Sequence, residues 1–275
     1  MSTERRRAAL AALRLCEPQA KLAAVQALAA APPPLDQDAL LADPGDLPGR
    51  PPRPQLVPPA AVPQRSVHDA RGLAALLHAL AHIEFNAVNL ALDALWRFGG
   101  MPPRYYDDWL RVASEEASHF ELLHGLLERL GHVYGDFDAH DGLWQMAAKT
   151  RDDPLARMAL VPRTLEARGL DATPPLQAKL RRVAHPVAAQ AVGVLDVILR
   201  DEVGHVEIGN RWYAHLCAER GLDPVPTYAL LARQYGAPRL RGPFNLAARR
   251  QAGFDAAELA LLCGTSPPSD DPAQE

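Results

Sequence analysis

The chain is poor in cysteine and aromatics, and it has no long apolar run. Its three cysteines among 275 residues, Cys16, Cys217 and Cys263, lie far apart without a Cys-x-x-Cys pair. That excludes a disulfide framework, a zinc ribbon and a rubredoxin-type iron site, and it points to a reducing, cytoplasmic setting. No run of about 18 apolar residues exists. The best candidate, Leu73 to Leu95, carries His78, His82, Glu84 and Asp93, so no membrane span is expected. A basic excess is also missing: 29 Lys and Arg against 33 Asp and Glu leave a formal charge of −4. This disfavours a nucleic-acid partner held by electrostatics. No dinucleotide-binding glycine motif appears. Arg5-Arg6-Arg7 before Ala8–Leu13 resembles the start of a targeting segment, but Arg14 breaks the run and no cleavage context follows.

Proline is in excess, with 26 residues, and its distribution organises the chain. Eleven prolines fall between Pro32 and Pro63. Such a segment lacks backbone donors and has fixed φ, so it is neither helix interior nor central strand. It is expected as an extended, polyproline-like arm behind a short Ala-rich helix over Arg5–Ala30, with Leu35–Arg53 equally readable as a disordered linker. From Arg71 the pattern becomes helical. The spacing predicts long helices over Arg71–Phe98 and from the Pro102-Pro103 pair to Gly131. A shorter one should run from Pro154 to Gly169, with a linking helix over Pro175–Ala184. The fourth long helix is expected over Val187–Arg220. Short pieces should follow around Tyr228–Tyr235, Phe244–Ala252 and Ala256–Cys263, before a polar tail. Pro162 should kink the third helix one turn before Glu166. No stretch alternates as a strand does.

The predicted fold is therefore all-α: a four-helix bundle over residues 64–222, preceded by a helix and Pro-rich arm (1–63) and followed by a helical extension and tail (223–275).

Each long helix carries a glutamate within its apolar stripe. On the first the stripe passes Leu73, Leu77, Leu80, Glu84, Ala87 and Ala91; on the second, Trp109, Ala113, Glu116, Phe120 and Leu123. The third places Glu166 after Leu155, Ala159 and Pro162, and the fourth places Glu202 and His205 between Ile198 and Gly209. Burying one unpaired carboxylate is expensive, and like charges converging make it worse. A bound cation makes the pattern sensible.

Imidazoles come with the spacing: Glu116-x-x-His119 and Glu202-x-x-His205. Residues three apart share a helix face, so each pair can reach one metal centre. Di-iron carboxylate bundles use this set, one Glu from each of two helices and Glu-x-x-His from the other two. A third Glu-x-x-His, Glu121–His124, falls off the stripe and reads as a surface pair, so one such pair alone carries little weight. Two on core stripes, alternating with core glutamates at separations of 32 residues (84 to 116) and 36 (166 to 202), look like two copies of one helical hairpin. Glu115 and Asp201 each precede a motif. They are candidates to accept the second N–H of a ligating histidine, with an ordinary surface role as the alternative.

On these residues the chain resembles the ferritin-like superfamily. The phrases Leu-Leu-His-Ala-Leu-Ala-His-Ile-Glu (76–84), Glu-Ala-Arg-Gly-Leu-Asp (166–171), Asp-Glu-Val-Gly-His-Val (201–206) and Arg-Gly-Pro-Phe-Asn (241–245) are similar to a bacterial family of unknown function known as ferritin-like domain proteins. The resemblance implies a dimetal site ligated by Glu84, Glu116, His119, Glu166, Glu202 and His205. Glu116 and Glu202 would bridge two Fe ions, with Mn/Fe as the alternative pair. Carboxylate and imidazole donors without thiolate suit iron or manganese.

The expected activity is O2-dependent oxidation or hydroxylation of a small organic molecule. It would involve O2 or peroxide and an external electron donor, and a homodimer is compatible with it. About 70 residues before the bundle and 50 after it would wall the pocket. A ferroxidase or peroxide-scavenging iron protein and a tRNA-modifying hydroxylase are the alternatives. His78 and His82, one turn apart, are expected in structural or surface roles, Trp96 and Trp212 in packing. Arg239, Arg241, Arg249 and Arg250 are expected to form a solvated basic patch.

Overall fold

The computed structural model of the chain describes residues 4–63 and 65–264. Among them there is no strand, and the fold is all-α. Its contacts divide into two compact units: the chain up to Arg151 together with Gln177–Ile198, and Asp152–Leu176 together with the described chain from Leu199 onward.

The first unit opens on α1 (Arg5–Leu13) and α2 (Pro18–Ala30). The single helix expected over Arg5–Ala30 is thus two. Proline at 18 pushes Glu17 out of the helical region, to φ −79° and ψ 124°. Glu17 then caps α2 by accepting the Ala20 N–H.

The proline-rich arm lies against these helices. Gly49 N–H donates to Leu13 O at 2.9 Å, and the buried Lys21 ammonium donates to Gly49 O at 2.8 Å. A Cβ at Gly49 would lie 2.1 Å from Arg14 O, so only glycine permits this approach. Further along, Val57 N–H donates to Ala139 O and Ala139 N–H to Gln55 O, an isolated bridge pinning the arm's end. Arg6, 2% exposed, donates to Trp96 O, Gln37 O and Ala39 O. It joins the arm to the last turn of α3 (Ala70–Arg97), where a cation suits the orphan carbonyls.

A short connection leads from α3 into α4 (Pro103–Glu128), and the two pack along their length as a hairpin. Asp69 caps α3 by accepting the Gly72 N–H. Among the described residues α3 alone is long and apolar enough to cross a bilayer, yet 72% of its most apolar window is buried inside the protein. It is a core helix. A further helix, α5 (Gly142–Lys149), packs on α3; it is short, and Asp141 makes no side-chain cap.

The second unit begins with α6 (Pro154–Leu160), capped by Asp153, and continues as a π-helical segment over Val161–Glu166. Pro162 has no N–H to give the preceding turn, and its ring displaces that turn's carbonyl. The expected kink is this π segment. Thr164 Oγ1 restores a donor by bonding Ala159 O at 2.7 Å.

Next come α7 (Ala167–Leu180), α8 (Pro186–Glu219), α9 (Pro224–Gln234), α10 (Leu246–Gln251) and α11 (Ala256–Cys263). α7 corrects two expectations, a helix end at Gly169 and a separate linking helix over Pro175–Ala184. It runs through Pro174 and Pro175. Pro174 cannot donate to Leu170 O, and the Asn245 side-chain amide does so instead, at 3.2 Å. Ala167, Leu170, Val206, Ala248 and Ala252 form this unit's buried cluster. The tail expected after α11 lies outside the described residues.

Candidate metal centre

The first unit brings together Glu84 from α3 and the Glu116–His119 pair from α4. The i,i+3 spacing turns Glu116 and His119 to one side of α4, and Glu84 stands midway along α3, facing them. His119 Nδ1 lies 3.2 Å from Glu116 Oε2 and 3.4 Å from Glu84 Oε2. Their exposures are 4% for Glu84, 0% for Glu116 and 1% for His119, so water does not solvate the cluster.

The electrostatics follow from that burial. Desolvation, reinforced by the neighbouring Glu116 charge, raises the Glu84 carboxyl to about 8. Burial works against a charged His119, but the carboxylates of Glu116 and Glu84 outweigh it and raise the imidazole to about 11. One potential ligand atom from each of the three residues lies within 4.8 Å of the others, and this group could hold a metal ion. The donor set fits. Two carboxylates and one imidazole suit a divalent first-row metal, and Glu84 Oε2 makes no hydrogen bond of normal length that would compete.

The second unit holds the other predicted ligands. Glu202 and His205 stand one turn apart on α8, 8% and 0% exposed, with His205 Nδ1 4.0 Å from Glu202 Oε1. Glu166 is half-buried at the end of the π segment. Asp201 accepts from its neighbour Arg200, at 2.8 and 3.1 Å. Glu115 is half-buried one residue before Glu116.

Residues 14–260 match a family described as "Protein of unknown function (DUF455)". The chain belongs to this family. It is also 53% identical, over 216 residues, to an uncharacterized protein of Haemophilus influenzae, an alignment covering 76% of this chain and 74% of that one. No solved structure matches.

The other sequence candidates sort by burial. Glu121 is exposed, and His124 turns toward Glu128 at 3.6 Å, so this third pair is a surface feature. His78 and His82 are buried and structural. His78 Nε2 accepts the Gly135 N–H at 2.9 Å. His82 gives its Nε2 proton to His140 O at 3.0 Å, which leaves Nδ1 to accept from the Tyr134 hydroxyl at 2.8 Å. Trp96 and Trp212, 2% and 4% exposed, are packing residues.

The expected basic patch is corrected at Arg249, which is 0% exposed and paired with Asp171, whereas Arg239, Arg241 and Arg250 are exposed. Sequence reasoning missed Arg163, a buried cation three residues before Glu166. Its only signal was a charge inside the apolar stretch Met158–Leu165. Arg163, Asn210, Arg211, Tyr213 and Glu258 border a cavity of about 280 Å³ in the second unit.

Proposed function

We propose that this chain is a non-haem dimetal carboxylate protein, with iron as the metal, which uses O2 to oxidise or hydroxylate a small organic molecule. The observation that carries the reading is the buried Glu84–Glu116–His119 cluster. Its two carboxylates each lie within 3.4 Å of its imidazole, buried out of reach of water, where converging carboxylates call for a cation. The repeated order Glu, Glu-x-x-His, Glu, Glu-x-x-His extends this to a pair of ions. Glu166, Glu202 and His205 would supply the second set of ligands, with Glu116 and Glu202 shared between the ions.

Bound iron supplies the redox chemistry with O2 that no side chain of this protein provides. The residues do the rest. Glu84 and Glu116 would offset cationic charge, and His119 and His205 would add nitrogen donors, His119 giving up the proton that its carboxylate neighbours otherwise hold on it. The helix positions of Glu116 and His119, three residues apart, hold their donors on one side of α4 without loop flexibility. The apolar neighbours on α3 and α4, among them Phe85, Ala113, Ala117 and Phe120, are buried and exclude water from the first ligand set. Electrons come from an external donor, since the chain carries no cysteine cluster or nucleotide motif to deliver them.

The test is O2 uptake by the ferrous-loaded protein. Wild type should consume O2. Glu116→Ala and His205→Ala should abolish consumption while retaining a helical circular dichroism spectrum. Uptake unchanged in either folded variant would remove that residue from the site.

A further inference from the structure

The second unit contains a charged network that the proposed chemistry does not use, built around the segment carrying Glu166. Arg249 of α10, 0% exposed, forks onto Asp171 with Nε at 3.1 Å from Oδ1 and NH2 at 2.6 Å from Oδ2. The same guanidinium donates to Ala167 O at 3.3 Å, one residue beyond Glu166. Asn245 adds its backbone N–H to Asp171 Oδ1 at 2.9 Å. On the other side, Arg163 donates to Asn210 Oδ1 at 2.8 Å and to Glu258 Oε1 of α11. The second oxygen of Glu258 accepts the Asp255 N–H at 3.0 Å, closing the capping box of α11, so this carboxylate is fixed at both atoms.

Phe254 ties the two halves together. Its ring centre lies 4.7 Å from the Arg163 guanidinium and 5.2 Å from that of Arg249. Helices α10 and α11 therefore grip the chain three residues before Glu166 and five residues after it. What they grip is irregular. Val161–Glu166 is π-helical, and a π segment lacks the uniform ladder that would itself aim a side chain. A ligand must sit within about half an ångström of its place, and a locally irregular backbone reaches that precision only when held from outside.

We infer that α10–α11 is the positioning device of Glu166, with Asp171–Arg249 and Arg163–Glu258 as its two clasps. The inference rests on the reading of Glu166 as a metal ligand. None of the four clasp residues needs to touch a metal; each acts through the backbone that carries Glu166. The phrases 166–171 and 241–245 then have one shared physical role: the first supplies Asp171 and the carbonyls, and the second leads into Asn245 and the helix bearing Arg249.

The experiment is an anaerobic Co2+ titration followed by visible absorption, which reports the number, affinity and geometry of bound ions. Wild type is expected to take two ions. Glu166→Ala should lose one and keep the other. Asp171→Asn, which preserves side-chain volume, should weaken the same ion about tenfold to a hundredfold and change its absorption bands, as loss of a partner that orients a ligand does. The double variant should bind no more weakly than Glu166→Ala alone, because both changes act through one residue. Glu258→Gln supplies the same comparison from the opposite clasp if Asp171→Asn fails to fold.

A folded clasp variant that keeps both ions at wild-type affinity overturns the inference, as does a double variant whose losses multiply. Wild type binding fewer than two ions, or Glu166→Ala keeping both, overturns the assignment of Glu166 itself. The two failures are thus distinct.

Discussion

Substituting alanine for Gly209 tests the packing around the π segment, because its sign is opposite to the usual one. In a helix interior alanine is normally better than glycine by about 0.8–1 kcal/mol. At Gly209 of α8, however, a Cβ would lie 2.5 Å from Pro162 Cβ and 2.6 Å from Pro162 Cγ. Carbon atoms in contact rest roughly 3.5–4.0 Å apart, so about an ångström of displacement is needed. The Pro162 ring cannot swing away as a long side chain would, because it is part of the backbone, and Arg163 N follows at 3.5 Å. Overpacking of this kind costs about 1–3 kcal/mol. It outweighs the propensity gain, and Gly209→Ala should be destabilised by a net of about 1 kcal/mol or somewhat more.

The internal control lies on the same helix. Gly193 has nothing within 4 Å of an ideal Cβ, so Gly193→Ala should gain about 0.5–1 kcal/mol. Urea unfolding followed by far-ultraviolet circular dichroism measures both. If Gly209→Ala is as stable as wild type, or if both variants move the same way, the close contact between Pro162 and α8 is wrong.

Two further outcomes are expected. Burial, with a smaller contribution from His132, holds His78 at about 4 against the opposing charges of Asp136 and Asp138, while its unfolded value is 6.5. Between those values the unfolded chain binds a proton that the folded chain does not, so stability falls as pH drops through this window. By the lower limit His78 has removed about 3 kcal/mol. The urea midpoint of His78→Gln should lose that part of the acid dependence, and an unchanged profile would contradict it. Arg6→Ala strands the carbonyls of Trp96 and Ala39, while Gln37 O keeps the Gly100 N–H, so the loss should cost about 2 kcal/mol or more. It should also expose Leu35–Arg53 to limited proteolysis; wild-type resistance in the variant would mean that the arm is held elsewhere.

Helical spacing made α3, α4 and α8 legible to within a few residues, because each is long and ends near glycine, although α3 is buried all round from Glu84 to Trp96. Proline was less reliable as a stop. At Pro18 it broke a helix that composition alone had run together. At Pro174 and Pro175 it broke nothing, and at the first of them Asn245, distant in sequence, replaced the missing donor to Leu170 O. No local rule could supply that partner. α5 went unseen for a related reason: it is amphipathic but only eight residues long, has no side-chain cap and is stabilised by packing on α3.

The cluster of Glu84, Glu116 and His119 could be read because a charge within an apolar stripe is anomalous on its face. Arg163 and Arg249 were harder. Arg249, next to Arg250, looks like surface, and Arg163 is a lone charge in an apolar stretch with no partner motif; both are buried where Phe254, Glu258 and Asp171 converge from separate segments. That convergence is tertiary, and a stripe on one helix does not record it.

Elemental analysis of the iron-reconstituted, desalted chain counts the ions that the Glu, Glu-x-x-His, Glu, Glu-x-x-His order implies. Two irons per chain are expected, falling to one or fewer in Glu116→Ala. One iron or none in the wild-type chain would contradict a dimetal centre.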